Sequence, residues 1–235
     1  MHKKKAKKIL EGVRKTYETI AEDFSRTRAH YGKEFDLYLQ YAKRGGTIVD
    51  IGCGNGRFGG FLRENREKIR SYHYLGIDQS EKMIEIAQKK QPEDAFMKGT
   101  MLNLPLDQES TDMAISIRTF HHIPSHNLRL QALMELQRVL KKEGILVLSV
   151  WNLWQKKYIW PITKAIARSL FTLGSYEYND LFIPWGEKTK RYYHAFTAAE
   201  LIKIVKKAGF TIVETPVVEG VQDHIIIARK GTKGG

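Results

Sequence analysis

The sequence predicts an α/β protein built on one mostly parallel β-sheet with helices on both faces. From about residue 46 to residue 150, short β-branched or apolar segments alternate with segments of helical periodicity, as in repeated strand–helix units. The strand-like segment 47–51 also runs directly into Gly52, Gly54 and Gly56, a turn that needs backbone angles closed to other residues. The 235 residues give room for a single domain with an insertion.

The elements follow from apolar spacing and from turn residues. Apolar residues three or four apart, from Ile9 to Phe24, predict an amphipathic helix over about 6–24, and a second helix is expected over 33–43. Strands are predicted at 47–51, 72–77, 95–98, 113–117 and 145–150, with helices at 58–68, 81–90 and 127–141 between them. Ser80 is expected to cap the second of these helices, and Gly144 to end the third.

The last part of the chain predicts one more helix and two strands. Thr197 and Glu200 have capping-box spacing before a helix that ends at Gly209. Strands at 210–215 and 224–228 are then expected to pair antiparallel at the sheet edge, which brings the total to seven.

Residues 151–194 depart from the regular alternation and are interpreted as an insertion. They hold all four tryptophans, seven lysines and arginines, and three acidic residues. One interpretation is a lid whose aromatic rings make a small core of their own. The other is a surface whose rings stack on unpaired bases beside phosphates. The cations in question are Lys156, Lys157, Lys188, Lys190 and Arg191.

Charge and composition narrow the function classes. The net charge is +13, and removing the five lysines of residues 3–8 still leaves +8, which favours a polyanionic partner such as nucleic acid. No apolar run approaches the ~20 residues of a membrane span, so we expect a soluble, cytoplasmic protein. Cys53 is the single cysteine and only His121 and His122 are adjacent histidines, so we predict no disulfide framework and no structural metal.

The glycine turn is the most specific signal. Its third glycine comes one residue too early for a dinucleotide fingerprint, and no Gly-Lys-Ser/Thr follows as in a P-loop. The segment Val49 to Arg57 instead resembles the class I S-adenosylmethionine-dependent methyltransferases. The resemblance implies a Rossmann-like, seven-stranded, mostly parallel sheet with an antiparallel last strand. It also implies a helical cap over the cofactor pocket at 1–45 and a methyltransferase domain at 46–235.

The resemblance assigns residues to the S-adenosyl-L-methionine site. Asp78 closes the second strand, where a carboxylate can accept hydrogen bonds from both ribose hydroxyls. Asp50 and the main chain of Gly52 and Gly54 are expected near the methionine end of the cofactor. The carboxylate at that end is expected to bind the phenol of Tyr17 or the guanidinium of Arg26 or Arg28, and Arg28 is the preferred choice. Further cofactor contacts are assigned to Gln79, Thr100, Met101 and Ile117. The family usually has Asp where Thr100 stands, so adenine is expected to rest on main chain and on apolar contacts.

Three further segments resemble the eukaryotic tRNA wobble-uridine carboxymethyl methyltransferases. They are 17–28, the His-His pair that ends 115–122, and 180–185 followed by 191–196. That family converts the carboxylate of 5-carboxymethyluridine in the anticodon loop to a methyl ester. A carboxylate is ionised at neutral pH and needs no general base. The resemblance therefore implies that the substrate-site residues orient the acceptor. We assign Arg118, His122, Arg191 and His194 to this site, with Arg118 or Arg191 on the carboxylate and Tyr192 or Tyr193 on the base.

Two other functions stay open at this point. A small-molecule methyltransferase of the same fold would act on a quinone precursor or a free carboxylic acid; its lid would be apolar and its surface need not be basic. A non-catalytic protein would use the fold as an RNA-docking platform, and it would have no need for the glycine turn with Asp78. Eukaryotic members of the resembled family act with a small zinc-binding activator subunit that pairs with a sheet edge, so such a partner is an expectation of the resemblance.

Overall fold

A computed structural model describes residues 1–69, 71–172, 175–187 and 189–231. The strands are β1 Gly46–Ile51, β2 Tyr72–Asp78, β3 Ala95–Lys98, β4 Thr111–Ile117, β5 Leu140–Trp151, β6 Asp180–Trp185, β7 Thr189–His194, β8 Phe210–Glu214 and β9 Asp223–Lys230. The α-helices are α1 Lys3–Arg26, α2 Phe35–Leu39, α3 Arg57–Glu64, α4 Arg66–Ile69, α5 Glu81–Lys90, α6 His126–Val139, α7 Ile159–Phe171 and α8 Ala198–Lys207. In the described ranges, no helix is long and apolar enough to cross a membrane.

Seven strands form the main sheet in the order β3-β2-β1-β4-β5-β9-β8, and β6 and β7 form a separate antiparallel hairpin. Parallel partners flank β1 on both sides, β2 on one and β4 on the other. β9 runs antiparallel to both of its neighbours. The predicted fold class is confirmed. Because the chain order reverses beside β1, the crevice above the carboxyl ends of β1 and β4 is the place where such sheets bind ligands.

Two apolar layers cover the two faces of the sheet. Side chains alternate along β5, so Leu146 and Leu148 join the layer under α6 and α8, whereas Val147 joins the layer under α2 and α3. Each layer is formed by fully buried aliphatic and aromatic side chains. The sheet is therefore fixed from both sides, and the loops at its carboxyl edge are held in place.

Several predicted boundaries were wrong. The helix expected over 127–141 ends at Val139, and Gly144 lies inside β5, because Leu140 turns to extended angles and pairs with Thr111. The helix expected over 58–68 breaks at Asn65, whose side-chain amide donates to the Phe61 carbonyl. The helix expected over 33–43 keeps only Phe35–Leu39.

The insertion 151–194 is more regular than its sequence indicates, since it contains α7 and the hairpin of β6 and β7. Part of it forms the satellite core that one interpretation expected. The buried members of that core are Leu153, Ile162, Ala165, Leu181, Tyr193 and Ala195, with Trp151, Tyr158 and Ile183 packed against them. Other rings of the insertion stay exposed, including those of Trp160 and Phe171. Lys188 lies outside the described residues.

Candidate active site

The turn between β1 and α3 is built on backbone angles that glycine adopts without strain. Gly52, Gly54 and Gly56 have φ values of +79°, +55° and +74°. A Cβ atom on Gly52 would lie 2.3 Å from the Thr119 side chain. The Gly52 amide donates to the Ile77 carbonyl at 2.7 Å, and the Gly54 amide donates to Asp78 Oδ2 at 3.0 Å. The turn is thus tied to the end of the neighbouring strand.

A cavity of about 420 Å³ opens above this turn. It is bounded by the ends of β1, β2 and β4, by α1 and by β7, and its size is typical of a small-molecule site. Leu10, Tyr17 and Phe24 line it at seven-residue intervals along α1. The cavity also brings together all but one of the site residues assigned from sequence. They are Arg28, Asp50, Gly52, Gly54, Asp78, Gln79, Thr100, Met101, Ile117, Arg118, His122 and Arg191.

Asp78 stands at the carboxyl end of β2 with its carboxylate fixed by main-chain amides. Oδ2 accepts from the Gly54 amide and Oδ1 accepts from the Ser80 amide at 2.9 Å. Burial raises the pKa of Asp78, while hydrogen bonds from these amides oppose the rise. Each carboxylate oxygen can accept a second hydrogen bond, so two vicinal hydroxyls of a ribose can be held together.

Asp50 lies deeper, at the end of β1. Its Oδ2 accepts from the Tyr74 hydroxyl at 3.0 Å, whereas its buried Oδ1 has no hydrogen-bond partner among the described residues. Burial raises the pKa of Asp50 to about 7, and the negative charge of Asp78 adds to the rise. A buried acceptor without a donor is costly, so this oxygen is suited to a cationic or N–H group of a ligand. The α-ammonium of S-adenosylmethionine fits that requirement.

The expected adenine wall lies after β3. Met101 is buried and Leu102 half-buried, and both line the cavity. The Thr100 side chain is exposed, and its hydroxyl accepts a long 3.4 Å hydrogen bond from the Leu102 amide. The Thr100 hydroxyl therefore serves the local turn, and an adenine here would rest on apolar side chains and main-chain groups.

Four arginines line the cavity, and they differ in their partners. Arg118 pairs with Glu34 at 3.0 Å and with Asp223 at 2.7 Å, and both of these carboxylates are almost fully buried. Burial raises the pKa of Asp223 to about 6, while Arg118 opposes the rise. Arg57 donates to the His30 carbonyl at 3.0 Å and is attracted by Glu34 and Asp50. Both guanidinium groups thus have carboxylates of the protein nearby.

Arg28 and Arg191 have no such carboxylate. In the part of the chain that the structure describes, no ion pair joins either of them to an acidic side chain. Arg28 contacts the Thr27 carbonyl at 3.2 Å and lies over the Phe24 ring. Arg191 is buried between Trp185 and Tyr193, 4.5 and 5.2 Å from the ring centres, and its Nε has no hydrogen-bond partner among the described residues. The pKa of Arg28 is lowered by burial and by the charge of Arg191.

His122 has both ring nitrogens occupied. Nδ1 lies 2.6 Å from the Tyr192 carbonyl, so it carries the proton, and Nε2 accepts from the Tyr17 hydroxyl at 2.8 Å. Burial lowers the pKa of His122 to about 4. The ring is therefore neutral at physiological pH, and it holds Tyr17 in the cavity wall. Its neighbour His121 accepts from the Trp151 amide at 3.1 Å.

His194 was wrongly expected in the substrate site. It is fully buried outside the cavity, because strand alternation in β7 directs it away from Arg191 and Tyr193. Its Nε2 lies 2.8 Å from Glu200, and its Nδ1 lies 3.3 Å from Asp180.

His194, Asp180 and Glu177 are also close enough to hold a metal ion. Their polar atoms are, however, used within the protein. Arg129 pairs with Glu177, and Asp180 accepts from the Tyr192 hydroxyl at 2.6 Å. This cluster ties the hairpin of β6 and β7 to α6 and α8.

Sequence reasoning missed several residues of the cavity and misplaced one candidate. Glu34 and Asp223 fix Arg118, yet neither stands in a recognisable pattern. Thr119 packs against the glycine turn and carries no sequence signal of its own. Arg26, considered for the methionine carboxylate, is exposed and pairs with Asp23 at 3.4 Å. Tyr17, considered for the same role, does reach the cavity.

Comparisons with known proteins give the family. Residues 49–148 match the model of a methyltransferase domain. The chain is 30% identical over 228 residues to the tRNA (carboxymethyluridine(34)-5-O)-methyltransferase of Schizosaccharomyces pombe, covering 87% of this chain and 90% of that protein. It is 34% identical over 139 residues to the protein of the same name from Arabidopsis thaliana, covering 59% of this chain but only 32% of that longer protein.

Solved structures agree on the fold. An S-adenosylmethionine-dependent methyltransferase from Methanosarcina mazei superposes with a TM-score of 0.69 at 21% identity, covering 84% of this chain and 98% of the other. A structure described as the complex of the Haloferax volcanii Trm112 methyltransferase activator with a methyltransferase gives a TM-score of 0.65 at 17% identity, covering 95% of this chain and 99% of the other. The cavity, the glycine turn and these likenesses agree, and the chain belongs to the S-adenosylmethionine-dependent methyltransferases, in the family of the tRNA (carboxymethyluridine(34)-5-O)-methyltransferases.

Proposed function

We propose that this enzyme methylates the carboxylate of 5-carboxymethyluridine at the wobble position of tRNA and so forms the methyl ester. The observation that carries the proposal is the pair of guanidinium groups of Arg28 and Arg191, which face the cavity and form no ion pair with a described carboxylate of the protein. A reaction between S-adenosylmethionine and a carboxylic acid brings two carboxylates into one site, one from the donor and one from the acceptor. The names of the curated relatives support the same substrate.

The donor end of the cavity suits S-adenosylmethionine, which supplies an electrophilic methyl group on a sulfonium. Asp78 holds the ribose hydroxyls, and Asp50 receives the ammonium through its unpartnered Oδ1. Arg28 takes the methionine carboxylate, since it lies beside the α1 residues that close this end. Gln79, Thr100, Met101 and Ile117 enclose the adenosine.

The acceptor carboxylate is assigned to Arg191. Arg118 is already neutralised by two buried carboxylates, so a third anion there would be repelled. No described carboxylate neutralises Arg191, and the flat faces of Trp185 and Tyr193 hold its guanidinium in place. Of the two tyrosines considered for stacking on the base, Tyr193 lines the cavity and Tyr192 does not. Tyr193 is therefore the one kept in this proposal.

The chemistry asks little of the protein beyond alignment. The acceptor carboxylate is the nucleophile and is ionised at neutral pH, so no proton has to be removed. The positive sulfonium and the negative carboxylate both lose their charge as the methyl group moves, and a site with little water favours that change. His122, neutral and doubly hydrogen-bonded, serves to position Tyr17. Holding the two groups in line supplies most of the acceleration.

A small activator subunit is part of the proposal. Among the described strands, β3 lies at the sheet edge and pairs only with β2, so its other side offers main-chain groups to a partner. A protein of the same fold was solved in complex with the Haloferax volcanii Trm112 methyltransferase activator, which supports such a partner here. With tRNA as its substrate, the protein would act in the cytoplasm.

The test is methyl transfer from labelled S-adenosylmethionine. The protein, alone and with an activator subunit, is incubated with tRNA carrying 5-carboxymethyluridine, with unmodified tRNA, and with free small carboxylic acids. We expect label only in the first, as the methyl ester nucleoside identified by mass spectrometry. Transfer to free acids with none to modified tRNA would favour the small-molecule alternative and refute the proposal.

A further inference from the structure

A second groove runs along α1 on the far side of the hairpin from the cofactor cavity. It encloses about 440 Å³ between α1 and the β6–β7 hairpin. Four lysines line it, Lys5, Lys8, Lys15 and Lys190, and none of its described lining residues is acidic. Lys15 pairs with Glu11 at 3.0 Å, whereas no ion pair joins the other three to a described carboxylate. The groove therefore presents a concentrated positive charge.

The charge is not explained by the stability of α1. Five lysines stand at residues 3–8, in the first two turns of the helix, and the first turn holds no acidic residue. The amino end of a helix carries partial positive charge, so cations there are mutually repelled and also repelled by the helix dipole. An anionic ligand along this end would relieve both repulsions.

The floor of the groove is aromatic. Tyr176 and Phe182 line it, with their rings 6.0 Å apart and edge to face. Lys5 lies over the Tyr176 ring at 4.4 Å, and Arg168 lies over both rings at 4.3 and 5.1 Å. Cations interleaved with ring faces are the usual way of holding a single-stranded nucleic acid, whose phosphates and bases are contacted in turn.

The groove and the cavity share the same two elements. On β7, Arg191 and Tyr193 face the cavity, while Lys190 and Tyr192 face the groove. On α1, Leu10 and Tyr17 line the cavity, while Ile9, Val13 and Thr16 line the groove. A strand of RNA along the groove would thus run beside the site that takes the acceptor nucleoside.

We propose that this groove binds the phosphate backbone of the tRNA next to the methylated nucleoside. The inference rests on the proposed function, and it deepens it by naming the surface that receives the polymer. The groove then supplies affinity for RNA, while Arg191 and its neighbours select the nucleoside inside the cavity. Sequence-independent phosphate contacts position the substrate, and the cavity reads the modification.

The test compares two triple variants of equal charge change in the full chain. One removes the groove lysines (Lys5→Ala, Lys8→Ala, Lys190→Ala), and the control removes three exposed lysines of β5 and α8 (Lys142→Ala, Lys203→Ala, Lys206→Ala). Binding of each protein to tRNA is titrated in the absence of S-adenosylmethionine, at salt concentrations between about 50 and 200 mM. Melting temperature and S-adenosylmethionine affinity are measured on both, so that loss of folding is recognised.

The groove variant should bind tRNA at least tenfold more weakly at low salt, and its plot of log affinity against log salt should flatten by about two units. Each phosphate contact to a single strand contributes about 0.7 to that slope. The control should stay within about twofold of the parent, and both variants should keep their affinity for S-adenosylmethionine. A single Lys8→Glu variant should also bind tRNA more weakly and with a flatter salt dependence, but by less than the triple variant.

Equal tRNA binding by the two triples would overturn the proposal. So would a groove variant that keeps tRNA binding but loses binding to phosphatidylserine vesicles, because the surface would then serve a membrane. The binding titration needs no methyl transfer, so the two proposals fail separately. A parent protein that binds tRNA through the groove yet never methylates it would refute only the proposed function.

Discussion

Replacing the two candidate arginines one at a time separates a binding role from a structural one. Arg191→Gln removes a guanidinium that forms no ion pair with a carboxylate of the described residues, so folding stability should change little. Arg118→Gln removes the partner of Glu34 and Asp223, both almost fully buried, and leaves two carboxylates uncompensated. The two variants should therefore fail in different assays.

The magnitudes follow from these contacts. A hydrogen bond to a charged group contributes about 1.5–3 kcal/mol, so Arg191→Gln should lower kcat/KM on tRNA with 5-carboxymethyluridine by about 10- to 150-fold. Breaking a buried ion pair costs about 3–5 kcal/mol. The Arg118 side chain is 34% exposed, so about 2–3 kcal/mol is the appropriate value. At about 2–4 °C per kcal/mol for a chain of this size, Tm should fall by about 4–12 °C.

The assays are thermal unfolding and steady-state methyl transfer, with tRNA affinity as a third measurement. The parent should bind carboxymethylated tRNA more tightly than unmodified tRNA, and Arg191→Gln should bind the two alike. The reasoning is wrong if Arg191→Gln retains full activity, or if Arg118→Gln melts at the parent temperature while losing activity.

The other predictions concern the turn and the strand end beside it. Gly52→Ala should abolish S-adenosylmethionine binding in a titration, because φ is +79° and the added Cβ would meet Thr119 at 2.3 Å. Its control, Gly12→Ala on α1, meets no atom within 4 Å and should raise Tm, since alanine is favoured over glycine by about 1 kcal/mol in a helix. Asp50 has a folded pKa of about 7, above its ordinary value, so its ionisation costs the folded state stability as pH rises from about 4 to 7. Asp50→Asn should therefore gain in unfolding free energy relative to the parent over that pH range, and a constant difference between the two proteins would contradict this.

The donor half of the site could be predicted from sequence because its signals are local. The glycine turn follows β1 directly and Asp78 ends β2, and the parallel register of β1 and β2 then brings them together. The strand order that opens the crevice follows from repeated strand–helix units. Thr100 stands where the resembled family usually has Asp, and its hydroxyl accepts a hydrogen bond within the local turn.

For the acceptor half, the sequence offers Arg118 and Arg191 as alternatives but cannot choose between them, because the choice depends on contacts between distant segments. Arg118 forms ion pairs with Glu34 and Asp223, and no spacing pattern in the sequence predicts that these three residues lie together. Recognising 189–194 as a strand would have helped. Alternation places Arg191 and Tyr193 on one face and His194 on the other, so the misplacement of His194 was avoidable.

The helix α7 was missed for a different reason. Its sequence combines Pro161, two aromatic residues and two threonine or serine residues, which together weaken a helical pattern. Pro161 is tolerated because it falls in the first turn, where its missing amide has no partner to lose. The rings of Trp160 and Phe171 remain exposed, so these two residues do not lie on the buried face of the helix.

The claim that everything else requires is that this cavity binds S-adenosylmethionine with Asp78 on its ribose. Calorimetric titration of the parent, Asp78→Asn and the exposed control Asp107→Asn measures it directly. The parent and the control should bind alike, and Asp78→Asn should bind about 10- to 150-fold more weakly, since it loses a charge-assisted hydrogen bond to the sugar. Equal affinity in all three proteins would contradict the account.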